Sequence, residues 1–240
     1  EQLRFFWDIV HHAWALGFSQ IQNWCWRDDP DRIFPWGVVW ANPSRPKPVL
    51  SLWSRLAGMN RMITVQHEPA DIVFVLSDGW RSGAPESFSL EVMLNALDCL
   101  LAANIPFDVV SENALTTLQD NLPKAIIFPA AYALSDETLS LMQGYAIRGA
   151  AVLLSGDPGI NPQGQRNQER YRQFLGSTFL AETGDAKGLP VPRIKTETAT
   201  LCLTEGTVTL YAIPCGAGAI YWSPLLWESA VSADLFGKDR

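Results

Sequence analysis

Trp26 and Arg27 stand side by side, followed at once by Asp28, Asp29 and Asp31. An indole offers a flat apolar face to the C–H face of a pyranose, and a guanidinium donates to ring hydroxyls, so the pair suits carbohydrate. The aspartates flank Pro30 and Arg32, a composition expected of a solvated turn rather than a metal or acid/base cluster. His11 and His12 are adjacent on a helical pattern and cannot both face one site, which predicts structural histidines. Cys25, Cys99, Cys202 and Cys215 are widely spread, with no CxxC and no Cys/His spacing for zinc, so reduced thiols and no metal or cofactor are expected. Trp80 and Arg81 follow an apolar strand pattern, at the edge where open α/β sheets take ligands. The loop is not a GxGxxG phosphate loop. Because Trp and Arg are favoured in buried interface pockets, the pair is expected to anchor an interface.

The elements that must position these residues fall into two groups. In the first, Leu3, Phe6, Trp7, Val10, Ala13 and Trp14 recur at helical spacing up to Gly17. A strand is predicted over Phe18–Trp26, a loop after it, and a second helix from Leu50 to about Met62. A polar connector at 64–70 then opens on a different rhythm. Strands are predicted at Ile72–Leu76, Ile105–Val110, Lys124–Pro129 and Ala150–Leu154. Helices are predicted at Ser89–Ala103, with Leu90, Met93, Leu94, Leu97, Leu100 and Leu101 in register, and at Asp136–Arg148, capped by Ser135 and stopped by Gly149. Strands alternating with helices of this length imply parallel pairing. Residues 156–173 are polar and rich in Gly, Pro, Gln and Asn, which suggests a long surface excursion, with a short helix at Tyr171–Leu180. The tail, from Arg193 to Trp222, holds short β-rich runs that form a meander or extend the sheet.

Composition narrows the function classes. Among 240 residues, 48% are hydrophobic and only 18% charged, which is globular rather than disordered. The net charge is −7, from 18 Lys and Arg against 25 Asp and Glu, with no basic cluster, so nucleic acid is not an expected partner. No apolar run is long enough for a membrane span, and no export signal is visible, which together favour a cytoplasmic protein. Position 1 is Glu, so the chain is expected to be a piece or a processed form of something longer.

Two consecutive stretches resemble a known family. His12-Ala13-Trp14-Ala15-Leu16-Gly17 and Trp24-Cys25-Trp26-Arg27 are similar to the last helix and strand of the (β/α)8 barrel of glycoside hydrolase family 42, the β-galactosidases. Gly149-Ala-Ala-Val-Leu-Leu-Ser-Gly156 is similar to the last parallel strand of the domain that follows that barrel, which has a class I glutamine-amidotransferase-like sheet and serves trimerisation. The resemblance implies a barrel terminus over residues 1–65. Residues 71–240 would then be an α/β domain with a flavodoxin-like parallel sheet, helices on both faces and a β-rich tail. Retaining glycosidases use two carboxylates about 5 Å apart. The resemblance places that pair on earlier barrel strands, upstream of residue 1, so no catalytic residue is expected here. The family tends to carry Arg where Cys25 stands, and a sugar-binding Glu in the following loop, where Arg32 stands near and Asp31 is the only close acid.

True class I amidotransferases carry a nucleophile at the sharp turn after a parallel strand, activated by a histidine. Ser155 holds the comparable place, yet the last histidine is His67, ahead of the domain. The expected function is therefore that of a non-catalytic C-terminal portion of a glycoside hydrolase. It would mediate homo-oligomerisation and shape a carbohydrate site to which Trp26 and Arg27 contribute. The alternative is a free-standing amidotransferase-like enzyme or small-molecule binder.

Overall fold

The computed structural model describes residues 2–15, 18, 20–23, 25–31, 33, 35–64, 68–77, 86–186, 189–196, 200–205 and 208–229. The chain divides into two compact units, Glu1–Glu68 and Pro69–Arg240. No helix among the described residues is long and apolar enough to cross a membrane.

The first unit holds α1 (Gln2–Ala15) and α2 (Pro48–Asn60). Pro48 begins α2, where a missing N–H costs nothing because the first helical amides have no partner within the helix. Val38, Val39 and Val49 form a small core against which Phe6, Leu50 and Trp53 pack. The indole Nε1 of Trp14 donates to Asn60 Oδ1 at 2.8 Å, tying the two helices together. The strand expected at Phe18–Trp26 is absent among the described residues of that span, and pairing in this unit is limited, among the described residues, to isolated bridges of Val39 with Arg27 and with Pro46. A strand exists only through the ladder it makes with a neighbour. Here the short 38–39 segment is what Trp26 meets, its carbonyl accepting from the N–H groups of Val38 and Val39 at 3.0 Å each.

The second unit is a mixed, mainly parallel α/β sheet with helices. Its strands are β1 (Ile72–Leu76), β2 (Asp108–Ser111), β3 (Ala125–Phe128), β4 (Ala151–Ser155), β7 (Thr200–Glu205), β8 (Val208–Cys215) and β9 (Gly218–Ser223), in the order β2-β1-β3-β4-β9-β8-β7. Pairings from β2 through β9 are parallel, while β8 and β7 run antiparallel. β5 (Ser177–Ala186) and β6 (Leu189–Thr196) form a separate hairpin. The tail therefore extends the sheet, and β9 closes it onto β4. The central strands are apolar on both faces, as parallel strands covered on both sides must be. Phe74, Val75, Ile126, Phe128, Val152, Leu154, Ile220 and Trp222 are all buried.

Three helices connect the strands: α3 (Glu86–Ala102), α4 (Asp136–Ile147) and α5 (Gln168–Leu175). Ser135 caps α4, its Oγ accepting from the Thr138 N–H at 3.0 Å. α3 buries Val92, Ala96 and Leu100 and packs Met93 and Leu97 beside them, so part of the expected stripe faces inward, while Leu94 and Leu101 are exposed. A helix this rich in apolar residues offers several stripes, and the partner decides which one is buried. The helix expected at Tyr171–Leu180 instead runs from Gln168, capped by Asn167, to Leu175. Gly176, at φ 55°, ends it and releases the chain into β5.

Candidate functional site

The parallel strands end at a common edge. Ser155, the last residue of β4, lies in register with Ser223, the last of β9, while Phe128 of β3 pairs with Leu154. Such an edge is where open α/β sheets place ligands. At this edge the chain leaving β3 turns sharply, with Ala130 at φ 46° and Ala133 at φ 54°, left-handed values that L-residues adopt at a cost. The turn aims the Ala130 N–H at Ser155 Oγ, 2.8 Å away. After β9 the chain folds back over the same edge in a short 3-10 turn, Trp227–Ser229, which brings Glu228 down onto β4. Ser155 Oγ donates to Glu228 Oε1 at 2.6 Å, and Asn95 of α3 donates to the Glu228 carbonyl at 3.1 Å.

Glu228 is only 1% exposed, and burial pushes its carboxyl up to about 7. Its second oxygen, Oε2, has no hydrogen-bond partner among the described residues, nor has the Tyr132 hydroxyl. Burial, helped by the charges of Asp157 and Glu228, pushes the Tyr132 phenol upward as well. The Tyr132 ring rests on Gly156: a Cβ there would stand 2.7 Å from the ring, and Gly156 sits at φ 97°.

One residue further on, Asp157 is fully buried and accepts four hydrogen bonds. Tyr171 Oη donates to Oδ1 at 2.5 Å and the Gly159 N–H at 3.0 Å, while Arg166 gives Nη2 at 2.7 Å and Nε at 3.3 Å to Oδ2. The Arg166 guanidinium also lies 4.6 Å from the centre of the Phe179 ring, which stacks on Tyr171. Arg170, buried too, donates to Asp136 and to the carbonyls of Leu134, Pro158 and Ile160. The stretch expected as a surface excursion is thus partly core. Its polar residues satisfy one another and the loop backbone instead of water.

Ser155 has the location of an elbow nucleophile, at the end of β4. Its hydrogen is engaged by a carboxyl, its oxygen is occupied by the Ala130 N–H, and it is 1% exposed. An attacking hydroxyl needs an open approach, and a side chain this buried offers none. Burial pushes the Cys99 and Cys215 thiols upward, which favours their protonated form. No group of three potential metal ligands occurs among the described residues.

No family model and no curated protein matches the sequence. Solved structures do share its fold. The chain is similar to the β-galactosidase of the Antarctic haloarchaeon Halorubrum lacusprofundi at 13% identity and a TM-score of 0.64, over 89% of this chain and 37% of that one. For the β-galactosidase of Bacillus circulans sp. alkalophilus the values are 14% and 0.63, over 88% and 38%. For an exo-β-1,4-mannosidase from Opitutaceae bacterium strain TAV5 they are 13% and 0.59, over 86% and 41%. The chain spans about two fifths of the length of these three proteins. The likeness is one of fold.

Of the residues singled out in the sequence, Ser155 belongs to the buried edge. Trp26 is 67% exposed and Arg27 is exposed, both in the first unit. Asp28 differs from its expected place in a solvated turn. It is buried, accepts from Lys47 Nζ at 2.6 Å and from the Gly37 N–H at 2.8 Å, and so anchors the segment that carries Trp26. His11 and His12 each place Nδ1 against a carbonyl four residues back, Trp7 and Asp8 respectively. Trp80 and Arg81 lie outside the described residues. Sequence reasoning missed Glu228, Asp157, Arg166 and Arg170. The one available signal was charge set within the tract around Pro162 and in an otherwise apolar, aromatic tail.

Proposed function

We propose that the chain is the C-terminal portion of a glycoside hydrolase resembling family 42. Residues 1–65 supply the closing segment of a (β/α)8 barrel with its two helices, and residues 71–240 an amidotransferase-like, flavodoxin-like domain that assembles subunits and shapes the barrel's site. What carries this reading is the fold likeness: nine tenths of the chain follows β-galactosidases that are more than twice its length. Two further observations support it. The elbow hydroxyl is engaged on both sides, which argues for an architectural domain. The first unit leaves Phe5, Trp26 and Met62 in the open, as a barrel segment missing its neighbours would. In this reading, Trp26 presents its indole to the sugar, Arg27 donates to ring hydroxyls, and Trp80 and Arg81 sit in an interface between subunits. Hydrolysis belongs to the parent protein's carboxylates, and no cofactor or metal is involved.

Purified 1–240 is expected to release no aryl alcohol from aryl β-glycosides, and to self-associate in light scattering. A strict monomer at high concentration would remove the assembly role. Turnover that survives replacement of Trp26 and of Asp28, Asp29 and Asp31 would place catalysis in this chain and overturn the reading.

A further inference from the structure

The turn carrying Glu228 returns to the sheet edge through an acidic side chain, an uncommon choice for a residue that is 1% exposed. A neutral residue would dock there at no electrostatic cost, whereas a carboxylate must lose water and recovers only the Ser155 hydroxyl and its own backbone N–H in exchange. Ser155 is the sole side chain among the described residues that bonds the carboxyl, and Oε2 is left with no partner. We propose that the 224–229 segment is a proton-dependent strap, docked on the sheet edge while Glu228 is protonated and loosened once it ionises.

The groups facing Glu228 make it the one that responds near neutral pH. From α3 come Asn95, which is neutral, and Cys99 with Asp98 beside it. From the turn after β3 comes Tyr132, and from the loop after β4 comes Asp157, paired with Arg166. Cys99 and Tyr132 are pushed further up from already alkaline values, so neither ionises in this range. Burial is what raises the Glu228 carboxyl, against the Ser155 hydroxyl and its own backbone N–H, which favour the charged form. The sign follows from linkage. A carboxyl held at about 7 when docked, against 4.5 when free, binds its proton more tightly in the docked state. Docking is therefore fully favoured below the free value, weakens as pH rises through this interval, and levels off above it. The strap is independent of whether the chain belongs to a glycoside hydrolase.

The test is amide hydrogen exchange over residues 224–229 of the full chain at pH 5.5 and 8.0, each rate referenced to an unstructured peptide at the same pH. Protection should fall on the order of tenfold between the two in the wild type, while the amides of β3 and β4 keep theirs. Glu228→Gln, which is neutral at both pH values, should hold equal protection at both. Equal wild-type protection at the two pH values overturns the proposal, as does a Glu228→Gln variant that loses protection by the wild-type factor. Should the variant not fold, the wild-type comparison decides alone, supported or refuted by a carboxyl ¹³C titration of Glu228 with its midpoint near 7 or near the value of a free carboxyl.

Discussion

Asp157 shows how one side chain can hold a loop. A carboxylate buried completely is unfavourable by itself, and the four donors around it offset that cost. Removing it leaves a guanidinium and a phenol with their partner gone in a dry site. Asp157→Ala is expected to destabilise the protein by about 3–5 kcal/mol in chemical denaturation. Asp157→Asn, which can still accept from Tyr171, should cost less. A loss under 1 kcal/mol for the alanine variant would mean that water replaces the missing acceptor. At the Ser155–Glu228 contact burial outweighs the Ser155 hydroxyl and the Glu228 backbone N–H that meet the carboxyl, so its proton affinity rises.

At the scale of elements, α3 separates pattern from packing. Leu100 and Leu101 are neighbours in sequence and equal in propensity, yet the first is 8% exposed and the second 50%. Leu100→Ala should cost about 2–5 kcal/mol through lost burial and the cavity left beside Phe74 and Ile127. Leu101→Ala should change stability by about 0.5 kcal/mol or less. Equal losses in thermal unfolding would show that the buried stripe is misjudged. The same lesson holds at the edge of the sheet. The Ser135 cap and the Gly149 stop of α4 follow from rules that act within a few residues. The strand expected at Phe18–Trp26 rests on no such local rule, because a ladder needs a neighbour distant in sequence.

For the whole molecule the decisive connection is β4 with β9. Their parallel pairing joins Ala151–Ser155 to Ala219–Ser223, seats Trp222 fully buried with its Nε1 donating to the Gly156 carbonyl at 2.8 Å, and delivers Glu228 to Ser155. A chain ending at Ala217 loses all of these and bares the outer edge of β4. It is expected to keep helical far-UV signal while losing the near-UV aromatic signal and the cooperative thermal transition. A sharp transition in that truncated chain would show that β9 is an accessory strand.

Residue types and short-range spacing determined the alternation of strands and helices, the caps of α4, the absence of a zinc pattern and the location of Ser155 at a strand end. Each of these depends on neighbours within a few positions, where periodicity and turn chemistry act. The edge cluster was not legible. Ser155 and Glu228 lie 73 positions apart, and Asp157 meets Tyr171 and Arg166 only because α5 folds back across the loop. No propensity encodes such meetings. They arise when strand register sets which ends coincide and burial then selects which polar groups must find one another, and that selection belongs to the tertiary structure.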